Sequence, residues 1–132
     1  MTVFADAFFY VALINRHDAF HAQAAERARN YRGGVLTTEW VLTEVADALA
    51  ASLARRRIHA AFAQLAADPD THTIGASPDL FARGLKLYAD RPDKSWSLTD
   101  CISFVVMGDH GITEALTGDH HFEQAGFHVL LK

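Results

Sequence analysis

The chain has 132 residues, 50% of them hydrophobic and 21% charged, which suits one compact domain spanning 1–132 and excludes both a multi-domain assembly and an intrinsically disordered chain. A formal net charge of -4 excludes a protein that coats nucleic acid through bulk positive charge, so any contact with RNA or DNA has to be local. The lone cysteine, Cys101, cannot form an internal disulfide, the start lacks a basic segment, and no apolar run approaches the roughly 18 residues of a membrane span, so the expectation is a soluble, cytoplasmic protein with no membrane partner.

In chain order, Thr2-Val3-Phe4-Ala5 is a short apolar run that suits a buried parallel strand, and a helix through Phe8 to Ile14 follows. Asp18 offers an N-cap to an amphipathic stretch from Ala19 to Tyr31, which Gly33-Gly34 ends, and Val35-Leu36-Thr37 is a second strand. From Thr38 to Arg57, Val41, Val45, Leu49 and Leu53 recur every fourth position, which predicts one long helix, continued by Ile58 to Ala67 after a bend. Asp68-Pro69-Asp70 breaks the pattern before a third strand, Thr71 to Ile74, and Ser77-Pro78 opens a helix over Asp79 to Tyr88. Beyond the polar loop Asp90 to Lys94, Ser97-Leu98-Thr99-Asp100 opens a helix to about Asp109. Glu114 to Thr117 and His128 to Leu131 are closing strands, with a helical turn at His121 to Gln124 between them. Strands alternating with helices predict an α/β fold with a mainly parallel sheet covered on both faces.

In such sheets ligands bind beyond the carboxyl ends of the strands. Asp6 and Asp119 follow strands directly, Asp119 after Gly118, while Asp100 falls in the first turn and Glu44 in the second turn of helices that start at the same end. Carboxylates about 4 Å apart repel by roughly 4 kcal/mol at an effective dielectric near 20, so a cluster of four calls for a cation. Mg²⁺ or Mn²⁺ suits hard oxygen ligands and leaves positions open for phosphate oxygens. Each acid also has a purely structural explanation: Asp100 closes a capping box with Ser97, Glu44 is favoured near a helix N-terminus, Asp119 suits a turn or cap, and Asp6 suits a cap.

The order Val3-Phe4-Ala5-Asp6, then Thr38-Glu39-Trp40-Val41-Leu42-Thr43-Glu44, then Ser97-Leu98-Thr99-Asp100, then Ala115 to Phe127 resembles the PIN domain family, most closely its small VapC-type toxin ribonucleases, over essentially the whole chain. The resemblance implies a three-layer α/β/α sandwich with a five-stranded parallel sheet and a Mg²⁺- or Mn²⁺-dependent endoribonuclease acting on single-stranded or loop RNA. It further implies a homodimer and a cognate antitoxin protein as partner. Asp6, Glu44, Asp100 and Asp119 fall at the family's acidic quartet, Asp6 and Asp100 as main metal ligands and the other two in support. The sequence departs from the family after its first acid, where Ala7-Phe8-Phe9 replaces a hydroxyl pair; Thr117 and Ser97 are the hydroxyls that compensate. The departure also keeps open a catalytically weak PIN-like module that binds RNA or protein, and a non-toxin RNA-processing nuclease shares the same chemistry.

Arg55-Arg56-Arg57 is the densest basic run, fit either to grip phosphate or to offset a helix dipole. Among eight histidines, His121 beside Asp119 is a candidate substrate contact, whereas His17 and His21 lack the Cys/His spacing of structural zinc. Phe8, Phe9, Trp40, Phe62 and Trp96 read as core.

Overall fold

A computed structural model describes residues 1–132. Its elements are β1 (Thr2–Ala5), α1 (Ala7–Ile14), α2 (His21–Asn30), β2 (Gly34–Thr38), α3 (Glu39–Ala48), a 3-10 turn (Leu53–Arg57), α4 (Ile58–Ala67), β3 (Thr71–Ile74), α5 (Pro78–Asp90), α6 (Leu98–Asp109), β4 (Glu114–Leu116), α7 (His120–Gln124) and β5 (His128–Val129). The five strands form one all-parallel sheet in the order β3-β2-β1-β4-β5. Successive residues of a strand point to opposite faces, and Val3, Phe4 and Ala5 are all buried, so helices cover the central strand on both sides. This is the α/β architecture that the alternation of periods predicted.

The strand order fixes where a site can form. The chain builds outward from β1 through β2 to β3, then returns to the other flank of β1 for β4 and β5. Loops leaving the carboxyl ends of β1 and β4 therefore turn away from each other and open a crevice between them.

The structure corrects two helix boundaries. The long helix expected from Thr38 to Arg57 ends at Ala48, because the core it faces ends there: Val41, Val45 and Leu49 are buried, but Leu53, the next residue in the stripe, is 80% exposed. Ser52 then caps a separate 3-10 turn by accepting the Ala54 N–H at 3.0 Å, and Ala54 enters the core instead. Asp18 does not cap α2; its Oδ1 accepts the Phe20 N–H at 2.8 Å in a local turn, and the helix starts at His21. The last two strands are shorter than expected. Thr117 N–H folds back onto the Ala115 carbonyl, which ends β4 at Leu116.

Helices α5 and α6 pack closely because Gly84 has no side chain. A Cβ there would run into Ile102 Cγ1 and lie 3.2 Å from the Ile102 backbone nitrogen. Since α6 carries Asp100 in its first turn, this contact also sets the height of the site. Gly84→Ala is expected to lower stability in urea titration by about 1–3 kcal/mol, overpacking outweighing the helix-propensity gain of about 1 kcal/mol.

Candidate functional site

The site forms in the crevice between β1 and β4. Their register pairs Ala5 with Leu116, so the next residues, Asp6 and Thr117, meet just past the strand ends. Asp6 N–H donates to the Leu116 carbonyl at 3.2 Å, and Thr117 Oγ1 donates to Asp6 Oδ2 at 2.9 Å, both side chains buried. On the other flank, Thr37 Oγ1 donates to the Ala5 carbonyl at 2.9 Å and Thr38 Oγ1 accepts the Val41 N–H, which starts α3 at the same edge and carries Glu44 in its second turn.

The remaining acids are held by caps. Asp100 and Ser97 exchange backbone-to-side-chain bonds of 3.0 and 3.1 Å in a capping box. Asp119 N–H donates to Thr117 Oγ1 at 3.1 Å, and Asp119 Oδ1 accepts the His121 N–H at 2.9 Å, so Asp119 caps α7. His121 Nδ1 then lies 3.2 Å from Asp100 Oδ2 and 3.4 Å from Asp119 Oδ1, tying α6 to α7. Trp96 supports this junction from below, edge-on to Phe104 and donating Nε1–H to Gln124. A cleft of about 440 Å³ opens beside the acids, lined by Asp6, Glu44 and Asp119 and by an apolar wall that includes Phe8 and Phe20.

The electrostatics show that the acids share one environment. Burial pushes the Asp6 carboxyl up to about 7, and the charges of Asp100 and Glu44 add to this against the Thr117 hydrogen bond. Asp100 and Glu44 are also raised, chiefly by burial, and Asp119 adds to both. Asp6 Oδ1 is buried without a hydrogen-bond partner. An orphaned carboxylate oxygen facing like charges is unfavourable in the protein alone, and a divalent cation is the group that relieves it. The donor set, carboxylates with an imidazole alongside, fits such an ion.

Of the residues singled out from sequence, Asp6, Glu44, Asp100, Asp119, Ser97, Thr117 and His121 come together here. Arg55, Arg56 and Arg57 do not: they lie in the 3-10 turn, Arg55 donating to the Ala50 carbonyl and Arg57 to that of Ile14, the far end of α1. His21 donates Nδ1–H to the Ala12 carbonyl at 2.8 Å rather than pairing with His17. The sequence reading missed three contributors. Asp18 lines the cleft, and Thr99 faces Glu44 and lowers its pKa. Gly118 is needed because a Cβ there would sit 2.7 Å from the Phe8 ring. A hydroxyl adjoining Asp100 and a glycine preceding Asp119 were the available signals.

Because folding raises the Asp6 pKa from 3.8 to about 7, the folded state binds this proton more tightly than the unfolded chain. Between those values the cation-free protein therefore loses stability as pH rises, and Asp100 and Glu44 act in the same direction. Thermal melts in EDTA should show the melting temperature falling from pH 5 to pH 8. Asp6→Asn should flatten that slope and stabilise the cation-free protein at pH 8 by roughly 1–3 kcal/mol.

No family model matches the chain, and no curated protein matches it. Solved structures do. VapC20 of Mycobacterium tuberculosis, a toxin that cleaves the sarcin-ricin loop, superposes with a TM-score of 0.89 at 27% identity, over 98% of this chain and 99% of that one. VapBC2 of Rickettsia felis, solved bound to a DNA fragment from its promoter, superposes with a TM-score of 0.66 at 13% identity over 98% of both chains, a likeness of fold alone. With its five-stranded parallel sheet and the crevice between β1 and β4, the chain has the α/β fold of these VapC structures.

Proposed function

We propose that the chain is a divalent-metal-dependent endoribonuclease, the toxin of a toxin-antitoxin pair, hydrolysing phosphodiester bonds in single-stranded or loop RNA. The observation that carries the reading is the convergence of Asp6, Glu44, Asp100 and Asp119 on one rim, with Asp6 Oδ1 buried and unpartnered. The likeness to VapC20, an RNA-cleaving toxin, points to the same chemistry. Asp6 and Asp100 hold Mg²⁺ or Mn²⁺, with Glu44 and Asp119 in support. That ion supplies activation of water and charge neutralisation at the scissile phosphate.

The chain's own residues do the positioning. Thr117 orients Asp6 through its 2.9 Å hydrogen bond, which places a hydroxyl on the first acid although none follows it in sequence. Ser97 fixes Asp100 from the opposite side. Water attacks phosphorus in line, the bond to the 3′ oxygen breaks and that oxygen takes a proton, leaving 5′-phosphate and 3′-hydroxyl ends.

Arg57, the last of the arginine run, stands at the other end of α1 from Asp6. Eight residues of helix make about 12 Å between the two. In this reading the run grips backbone phosphate upstream or downstream of the cut. A cognate antitoxin covering the acidic rim is the protein partner. A homodimer is the assembly, and the apolar stripe of Phe81, Leu85 and Tyr88 left exposed on α5 supports self-association, which light scattering measures directly.

The decisive experiment incubates a mixed structured and single-stranded RNA pool with the protein in Mg²⁺, Mn²⁺ or EDTA. Cuts that need the ion are expected, with a loss of 100-fold or more, of order 3 kcal/mol of transition-state stabilisation, in Asp6→Ala and Asp100→Asn. Asp100→Asn should remain folded by circular dichroism, since an amide oxygen still accepts the Ser97 N–H. A folded protein that binds RNA and never cuts it sinks the nuclease reading in favour of a binding module. Replacing Arg55, Arg56 and Arg57 with alanine should reduce the slope of log affinity against log salt by about 1–3, read by filter binding or anisotropy.

A further inference from the structure

We propose that His121 is a nitrogen ligand of the cation held at this rim, its Nδ1 completing with Asp100 Oδ2 and Asp119 Oδ1 a mixed set that favours manganese, cobalt or zinc over magnesium. The inference rests on reading the acidic rim as a cation site and goes beyond it by naming a ligand outside the acidic quartet and the ion class it selects.

Three observations carry it. The first is spacing. His121 Nδ1 is 3.2 Å from Asp100 Oδ2 and 3.4 Å from Asp119 Oδ1. Adjacent ligands of an octahedral ion bound at about 2.1 Å lie about 3.0 Å apart, and those of a tetrahedral ion at about 2.0 Å lie about 3.3 Å apart. His121 Nδ1 thus stands at ligand-to-ligand distance from each of the two carboxylates.

The second is the far side of the ring. His121 Nε2 lies 3.3 Å from Ser95 Oγ, a hydroxyl able to accept its hydrogen. That partner suits the tautomer with hydrogen on Nε2 and a lone pair on Nδ1, the arrangement ligating histidines use. A lone pair aimed at two carboxylates is repulsive unless a cation stands between them. The ring is also restrained, being 18% exposed and anchored through its backbone N–H to Asp119 Oδ1 at 2.9 Å.

The third is independent of these contacts: Asp6, only 3% exposed, leaves Oδ1 without a hydrogen-bond partner, and it lines the same cleft as Asp119. This is the mark of a missing ligand rather than of a self-contained carboxylate and histidine network. His120 is 71% exposed with its Nδ1 3.7 Å from Asp119 Oδ1, and the set does not need it. Magnesium prefers an all-oxygen shell, whereas imidazole raises affinity for first-row transition ions, so an added nitrogen changes selectivity more than overall strength.

Two measurements on the full chain test this. Calorimetric titrations with Mg²⁺, Mn²⁺ and Co²⁺ compare the wild type with His121→Leu, which removes the donor, and His121→Asn, which puts an oxygen near the Nδ1 position. Co²⁺ affinity is expected to fall by about tenfold or more in His121→Leu while Mg²⁺ affinity changes by less than about twofold, and His121→Asn should narrow the preference for Co²⁺ over Mg²⁺. Electron spin echo modulation of the Mn²⁺-loaded wild type, which needs no variant, should show a directly bound imidazole nitrogen. If ions bind but no nitrogen modulation appears, or both variants weaken Mg²⁺ and Co²⁺ alike, the histidine assignment is overturned while the cation site stands. If no ion binds the wild type at millimolar concentration, the metal-dependent reading falls with it.

Discussion

The parallel pairing of β1 with β4 is the constraint on which the rest of the site depends. It joins two strands separated by most of the chain, in the register that sets Ala5 beside Leu116, and so places Asp6 and Thr117 side by side beyond the sheet. The same pairing lies where the strand order reverses, so the loops that follow diverge and leave a crevice. A slip of one residue in that register would turn Asp6 to the opposite face and break the Thr117 bond.

Most groups at the rim serve the fold and the site together. Asp100 closes the capping box of α6, Asp119 caps α7, and Thr38 caps α3, so side chains at the same end of the sheet satisfy free N–H groups at each helix start. Asp6 stands apart. It occupies the N-cap position of α1 without a side-chain cap bond, and its Oδ1 is left unpartnered in a buried setting. Raised carboxyl groups at Asp6, Glu44 and Asp100 mean that the cation-free fold holds three acids in an environment that disfavours their charge. Stability is given up there, which is the usual mark of a ligand site.

The residues after Asp6 are the chain's clearest departure from the family pattern, and packing accounts for them. Phe8 fills the space above Gly118 and meets Phe20 edge-on at 4.9 Å between ring centroids, forming the apolar wall of the cleft. No hydroxyl follows Asp6 in α1, and the one that bonds its carboxylate comes from Thr117 across the sheet.

The sequence by itself determined the parts that depend on local pattern. Strand and helix order, the Ser77-Pro78 and Ser97 to Asp100 starts and the four acids at element ends were all legible, because periodicity and capping act over a few residues. The break after Ala48 was not legible: the apolar repeat runs on through Leu53, and only the edge of the core decides where it stops being buried. The same holds for His121, whose place between Asp100 and Asp119 requires α6 and α7 to meet. For the arginine run, local charge density said nothing about which end of α1 it would occupy. Tertiary structure alone decided these, since each depends on which distant segments share a surface, and distance along the chain carries no information about that.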